Sequence, residues 1–147
     1  MTTVKYIAFI LIFIVIASMT VCGQEKSNAT ESKKAMQNIK SVFDDYVKYQ
    51  ESTDSQGDKE LMTKSLESLN KVTDQEELEI LINVWMYYTP TDFPTRNLVF
   101  KVLKESRPES IKAVKSRMRD KNEWETDETA PYSELKDLLN LLKIDTP

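Results

Sequence analysis

Carboxylates are the only side chains in this sequence present in sufficient number to act as acids and bases. They gather at Asp44-Asp45, at Asp74 with Glu76, Glu77 and Glu79, and at Asp120 with Glu123, Glu125, Asp127 and Glu128. Two carboxyls across a cleft, one of them kept protonated by burial, are what cleavage of a glycosidic bond requires. Composition excludes most other chemistry. With no histidine and one cysteine in 147 residues, neither a Ser-His-Asp nor a Cys-His nucleophile can be assembled, and zinc lacks its usual imidazole and thiolate ligands. Two glycines cannot furnish the backbone cradle of a dinucleotide or P-loop phosphate site. No cofactor and no metal are expected. The formal charge of -4 and the pI near 5.0 give nucleic-acid binding no electrostatic support.

Glu51-Ser52, Glu105-Ser106 and Glu109-Ser110 each spell a Glu followed by Ser. That pair is similar to the one in helical peptidoglycan-cleaving enzymes, and the resemblance implies a Glu-dependent cell-wall glycan hydrolase as an alternative function. Charged residues make up 30% of the chain, so such pairs arise easily, and the Gly-rich substrate loops of those enzymes have no counterpart here. A non-catalytic protein is therefore the leading expectation. The acidic loop also fails as a calcium loop. Counted from Asp120, the sixth and twelfth positions hold Glu125 and Pro131, where an EF-hand needs Gly and Glu.

Aromatic residues are the better contact points, because rings bury much area for few frozen torsions. The corner Tyr87-Tyr88-Thr89-Pro90-Thr91-Asp92-Phe93 concentrates three of them at one helix junction, and Trp124 sits among charges in a polar loop. Trp124 is either a partner contact or a loop anchor folded over the core. Lys112, Lys115, Arg117, Arg119 and Lys121 crowd another segment, as a solvated helix face or as a dock for an acidic partner or anionic lipid.

The elements that position these residues follow from period and punctuation. Met36, Ile39, Val42, Phe43, Tyr46 and Val47 recur at three and four, the mark of an amphipathic helix. Glu51 to Asp58 interrupts the pattern, and Leu61, Met62, Leu66, Leu69 and Val72 resume it. Thr73-Asp74-Gln75-Glu76 matches a capping box with Thr73 as the cap. The helix it opens faces inward with Leu78, Leu81, Ile82, Trp85 and Tyr88, and stops at Thr89-Pro90. Asp92 or Phe93 caps the next helix, with Pro94 in its first turn and Leu98, Val99, Val102 and Leu103 on its inner face. Ser106-Arg107-Pro108-Glu109 repeats the device ahead of Ile111, Val114 and Met118. After a loop from Asp120 to Ala130, Pro131 opens a last helix bearing Leu135, Leu138, Leu139 and Leu142. No segment alternates as a half-buried strand would. The expected fold is all-α, about six short antiparallel helices joined by short links.

Asp92-Phe93-Pro94-Thr95-Arg96-Asn97-Leu98-Val99, followed by Val102-Leu103, resembles the Asp, Arg and apolar spacing of a HEAT-type repeat helix. The resemblance implies a curved hairpin stack that binds other proteins along one face and has no active site. It adds Asp92 and Arg96 to the expected partner contacts Tyr87, Tyr88, Phe93 and Trp124. An irregular bundle of the same six helices is the alternative architecture.

Before all this lies an export signal. Lys5 precedes an uncharged run from Tyr6 to Val21, shorter than the roughly 20 apolar residues of a spanning helix. Thr20-Val21-Cys22-Gly23-Gln24 is similar to a bacterial lipobox, with Val21 where a small residue is usual; the resemblance implies lipidation of Cys22. Ordinary signal peptidase cleavage before Gln24 competes with it. Residues 1–23 are thus read as the signal, polar residues 24–34 as a flexible tether, and 35–144 as one helical domain. The expected protein is an exported interaction module of the cell envelope, binding a partner protein as an immunity or inhibitor protein does. The alternatives are the hydrolase above and a purely structural envelope lipoprotein. A lipidated Cys22 makes the membrane a second partner; a cleaved chain is periplasmic or secreted.

Overall fold

The computed structural model describes residues 29–48, 56–89, 92–120 and 130–144. The chain divides into two compact units, Met1–Lys34 and Ala35–Pro147. Of the first, residues 29–34 of the expected tether are described and are helical; Cys22 and the rest of the expected signal and tether lie outside the described residues. The second unit is all-α, with no strand among the described residues. Its helices are α1 (35–48), α2 (Gln56–Ser68), α3 (Gln75–Asn83), α4 (Phe93–Glu105), α5 (Arg107–Arg119) and α6 (Ala130–Ile144). Between α3 and α4 the chain makes one wide π-type turn, Val84–Tyr88.

Helices alternate in their packing: α2 lies on α4 and α3 on α5, while α6 packs on α5 and on the wide turn. The core they enclose is built from the expected stripes. Ile39, Met62, Leu66, Leu78, Leu81, Ile82, Leu103, Leu135, Leu138 and Leu142 are fully buried. At the stripe edges burial fails: Val47 and Leu61 are exposed, and Ile111 and Met118 are half-buried. On α5 the innermost places go to Ser110, Ala113 and Val114.

Three helix ends differ from the sequence reading. The cap of α3 is Asp74, whose carboxylate accepts from the amides of Glu76 at 3.0 Å and Glu77 at 3.1 Å. Thr73 sits one residue too early to reach them once Asp74 holds the extended backbone of a cap. Ser106 precedes α5, but its hydroxyl makes no cap bond and instead accepts from the Val72 amide at 2.7 Å, fully buried. It thereby satisfies a donor of the α2–α3 link that would otherwise be stranded in the core. Third, Gln56, Gly57 and Asp58 belong to the first turn of α2 rather than to the preceding loop. Gln56 Nε2 donates to Glu60 one turn on.

A Cβ built at Gly57 meets nothing within 4 Å. Gly57 therefore serves no close approach and only enlarges the unfolded ensemble. Gly57→Ala should raise stability by about 0.5–1 kcal/mol in urea unfolding; a destabilised variant would show that this turn needs its glycine.

Candidate functional site

The corner between α3 and α4 is shaped by the wide turn. Thr89 donates its amide to Val84 O at 3.1 Å, a bond spanning five residues, and its buried hydroxyl donates to Trp85 O at 3.1 Å. One extra residue in the turn places Val84, Trp85 and Met86 in the core consecutively. Such widened turns occur mostly as single insertions that re-aim side chains. The end of α1 closes over this turn. Tyr46 donates its hydroxyl to Tyr87 O at 3.0 Å, and its ring meets that of Tyr88 edge-on with centroids 5.2 Å apart.

Asp92 then fixes the start of α4. Its carboxylate accepts from the Thr95 hydroxyl at 2.9 Å and the Thr95 amide at 3.4 Å, and pairs with Lys59 Nζ of α2 at 3.2 Å. Burial pushes the Asp92 carboxyl up, but the Thr95 hydroxyl, Lys59 and the Thr95 amide together hold it below its ordinary value. The next residue, Phe93, is 69% exposed.

One turn further on, Arg96 points inward. Its guanidinium lies over the Trp85 ring, 3.7 Å from the centroid, and forms an ion pair with Glu134 of α6. Trp85 Nε1 donates to the backbone oxygen of the same Glu134 at 3.2 Å, and Phe100 packs against the indole at 6.2 Å. Arg96 Nη1 is buried with no hydrogen-bond partner, on a guanidinium that lies over the indole face.

The expected contacts are thus partitioned. Phe93 is exposed, Asp92 is largely held by the fold, Tyr87 and Tyr88 are half-buried against the core, and Arg96 is taken up inside; Trp124 lies outside the described residues. Lys59 and Glu134, which complete the site, stand 33 and 38 residues from the groups they pair with, and no local signal could have singled them out. Of the Glu-Ser pairs, Glu105 is exposed and Glu51 lies outside the described residues. Glu109 is half-buried, with Oε2 covered and unpartnered, as is the Ser110 hydroxyl. Among the described residues no group of three or more Asp, Glu or Cys is placed to hold a metal ion, and no helix is long and apolar enough to cross a membrane. No protein-family model, curated protein or solved structure matches the chain.

A carboxyl held below its ordinary value adds stability that is present above the unfolded value and lost as pH falls through the folded one. Asp92→Asn keeps a capping oxygen but loses the charge facing Lys59. The variant should be less stable than the parent at pH 7, and the gap should close below about pH 4. Urea unfolding at pH 7 and pH 3 measures it; a gap that does not change with pH would remove Asp92 as a charged support.

Proposed function

We propose that the chain is an exported, non-catalytic helical module that binds a partner protein through the α3–α4 corner, as an envelope immunity or inhibitor protein would. The observation that carries this reading is Phe93: a large ring 69% exposed on backbone that Asp92, Thr95 and Lys59 hold rigid. An exposed aromatic side chain is a strong anchor when its backbone is already ordered, because little freedom remains to be lost on binding. Pro94 and Asn97, exposed beside it, extend the surface along α4. The packing of α2 on α4 and of α3 on α5 supports a hairpin stack of HEAT type, an architecture suited to binding along one face. Support for export comes from the uncharged run at residues 6–21 and from Cys22 directly behind it, which would hold the domain at the membrane if lipidated.

Photo-crosslinking in the native envelope tests the reading. A benzophenone amino acid in place of Phe93 should yield one discrete protein adduct, and the same probe in place of exposed Glu79 should not. Phe93→Ala should weaken binding of the recovered partner by about tenfold or more. Absence of an adduct at 93 would contradict the binding corner, and is what a purely structural lipoprotein gives.

A further inference from the structure

Two lysines on the outer face of α5 have no ion pair among the described residues. Helix α5 packs against α3, α4 and α6, which leaves a single outward stripe of Pro108, Lys112, Lys115 and Arg119 at spacings of four, three and four. All four are exposed, and the stripe holds no acid. None of the three cations has an ion pair among the described residues; Arg119 only donates to the Ser116 hydroxyl at 3.4 Å. Arg119 is accounted for by the negative end of the helix dipole, but Lys112 and Lys115 lie mid-helix, beyond its reach.

We propose that this stripe is the face the domain turns to an anionic lipid surface. The proposal rests on the membrane-held reading above and specifies which side of the domain meets the bilayer. The chain carries a net charge of -4, so an anionic surface repels most of it. Held nearby by its N-terminal segment, the domain can set the acid-free stripe of Lys112, Lys115 and Arg119 against the headgroups. Cations within a Debye length of such a surface each add attraction, so three of them should raise partitioning on the order of 10- to 100-fold.

The full chain is mixed with vesicles of phosphatidylcholine alone or with 30 mol% phosphatidylglycerol, and the bound fraction is measured by flotation. Binding should be at least about tenfold stronger on the anionic vesicles at 0.1 M salt, and the increment should vanish at 0.5 M. Lys112→Glu with Lys115→Glu and Arg119→Glu should abolish the increment while leaving binding to neutral vesicles unchanged. Lys112→Gln with Lys115→Gln should remove most of it, should the triple variant not fold. An increment that survives these changes, or is absent from the parent, overturns the proposal. Charge-dependent binding to polyglutamate without a lipid increment would also overturn it and assign the stripe to an acidic protein. Failure of the membrane-held reading shows separately, as a parent chain with no affinity for neutral vesicles.

Discussion

The guanidinium of Arg96 is the group around which the second unit is arranged. A charge drawn this far from water is tolerated only where something replaces its hydration, and here two groups do so: the indole face of Trp85 and the carboxylate of Glu134. Because Trp85 also donates to the Glu134 backbone, the three residues tie the wide turn, α4 and α6 together by side-chain and main-chain contacts at once. The wide turn is part of the same device. The five-residue bond from Thr89 closes the turn that carries Trp85, while Thr95 and Lys59 anchor Asp92 just ahead of Arg96. An ion pair of this kind contributes less to net stability than to fixing one arrangement, since removing either partner strands the other.

What the sequence disclosed was what local physics decides. The stripe Leu78, Leu81, Ile82 and Trp85 is buried as its period requires, and Asp92 with Pro94 opens α4 as capping chemistry requires. Where two adjacent residues could do the same work the reading slipped by one, as at Thr73 and Asp74, because both oxygens suit a cap and only the backbone angle chooses. Ser106 slipped for another reason: its hydroxyl had a local use, the cap, and a distant one, the Val72 amide, and the distant one prevailed because that amide is buried. The Arg96–Glu134 pair and the wide turn were illegible, since both depend on which helices meet. Three rings that looked equivalent at the corner divide in the fold. Tyr88 meets Tyr46 and Tyr87 is half-buried, whereas Phe93, at the very start of α4, faces outward.

Function follows from what the interior leaves over. Arg96, Glu134 and Ser106 are committed to holding helices together, so they cannot also meet a partner. Among the outward features of the described residues are Phe93, on the backbone that Asp92 caps, and the cations Lys112, Lys115 and Arg119 of α5. They lie on the consecutive helices α4 and α5, which pack on one another, and an ordered helical frame loses little freedom when such features are covered.

A double-mutant cycle across Arg96 and Glu134 addresses the central claim most directly. Arg96→Met and Glu134→Gln should each destabilise the fold by about 2–4 kcal/mol in urea unfolding, because each leaves a poorly hydrated charge without its partner. The double variant should cost clearly less than the sum of the two, with a coupling of about 1–3 kcal/mol. Single variants that each cost less than about 0.5 kcal/mol, and combine additively, would mean that the pair is a surface contact and that the arrangement of α4, α6 and the wide turn depends on something else.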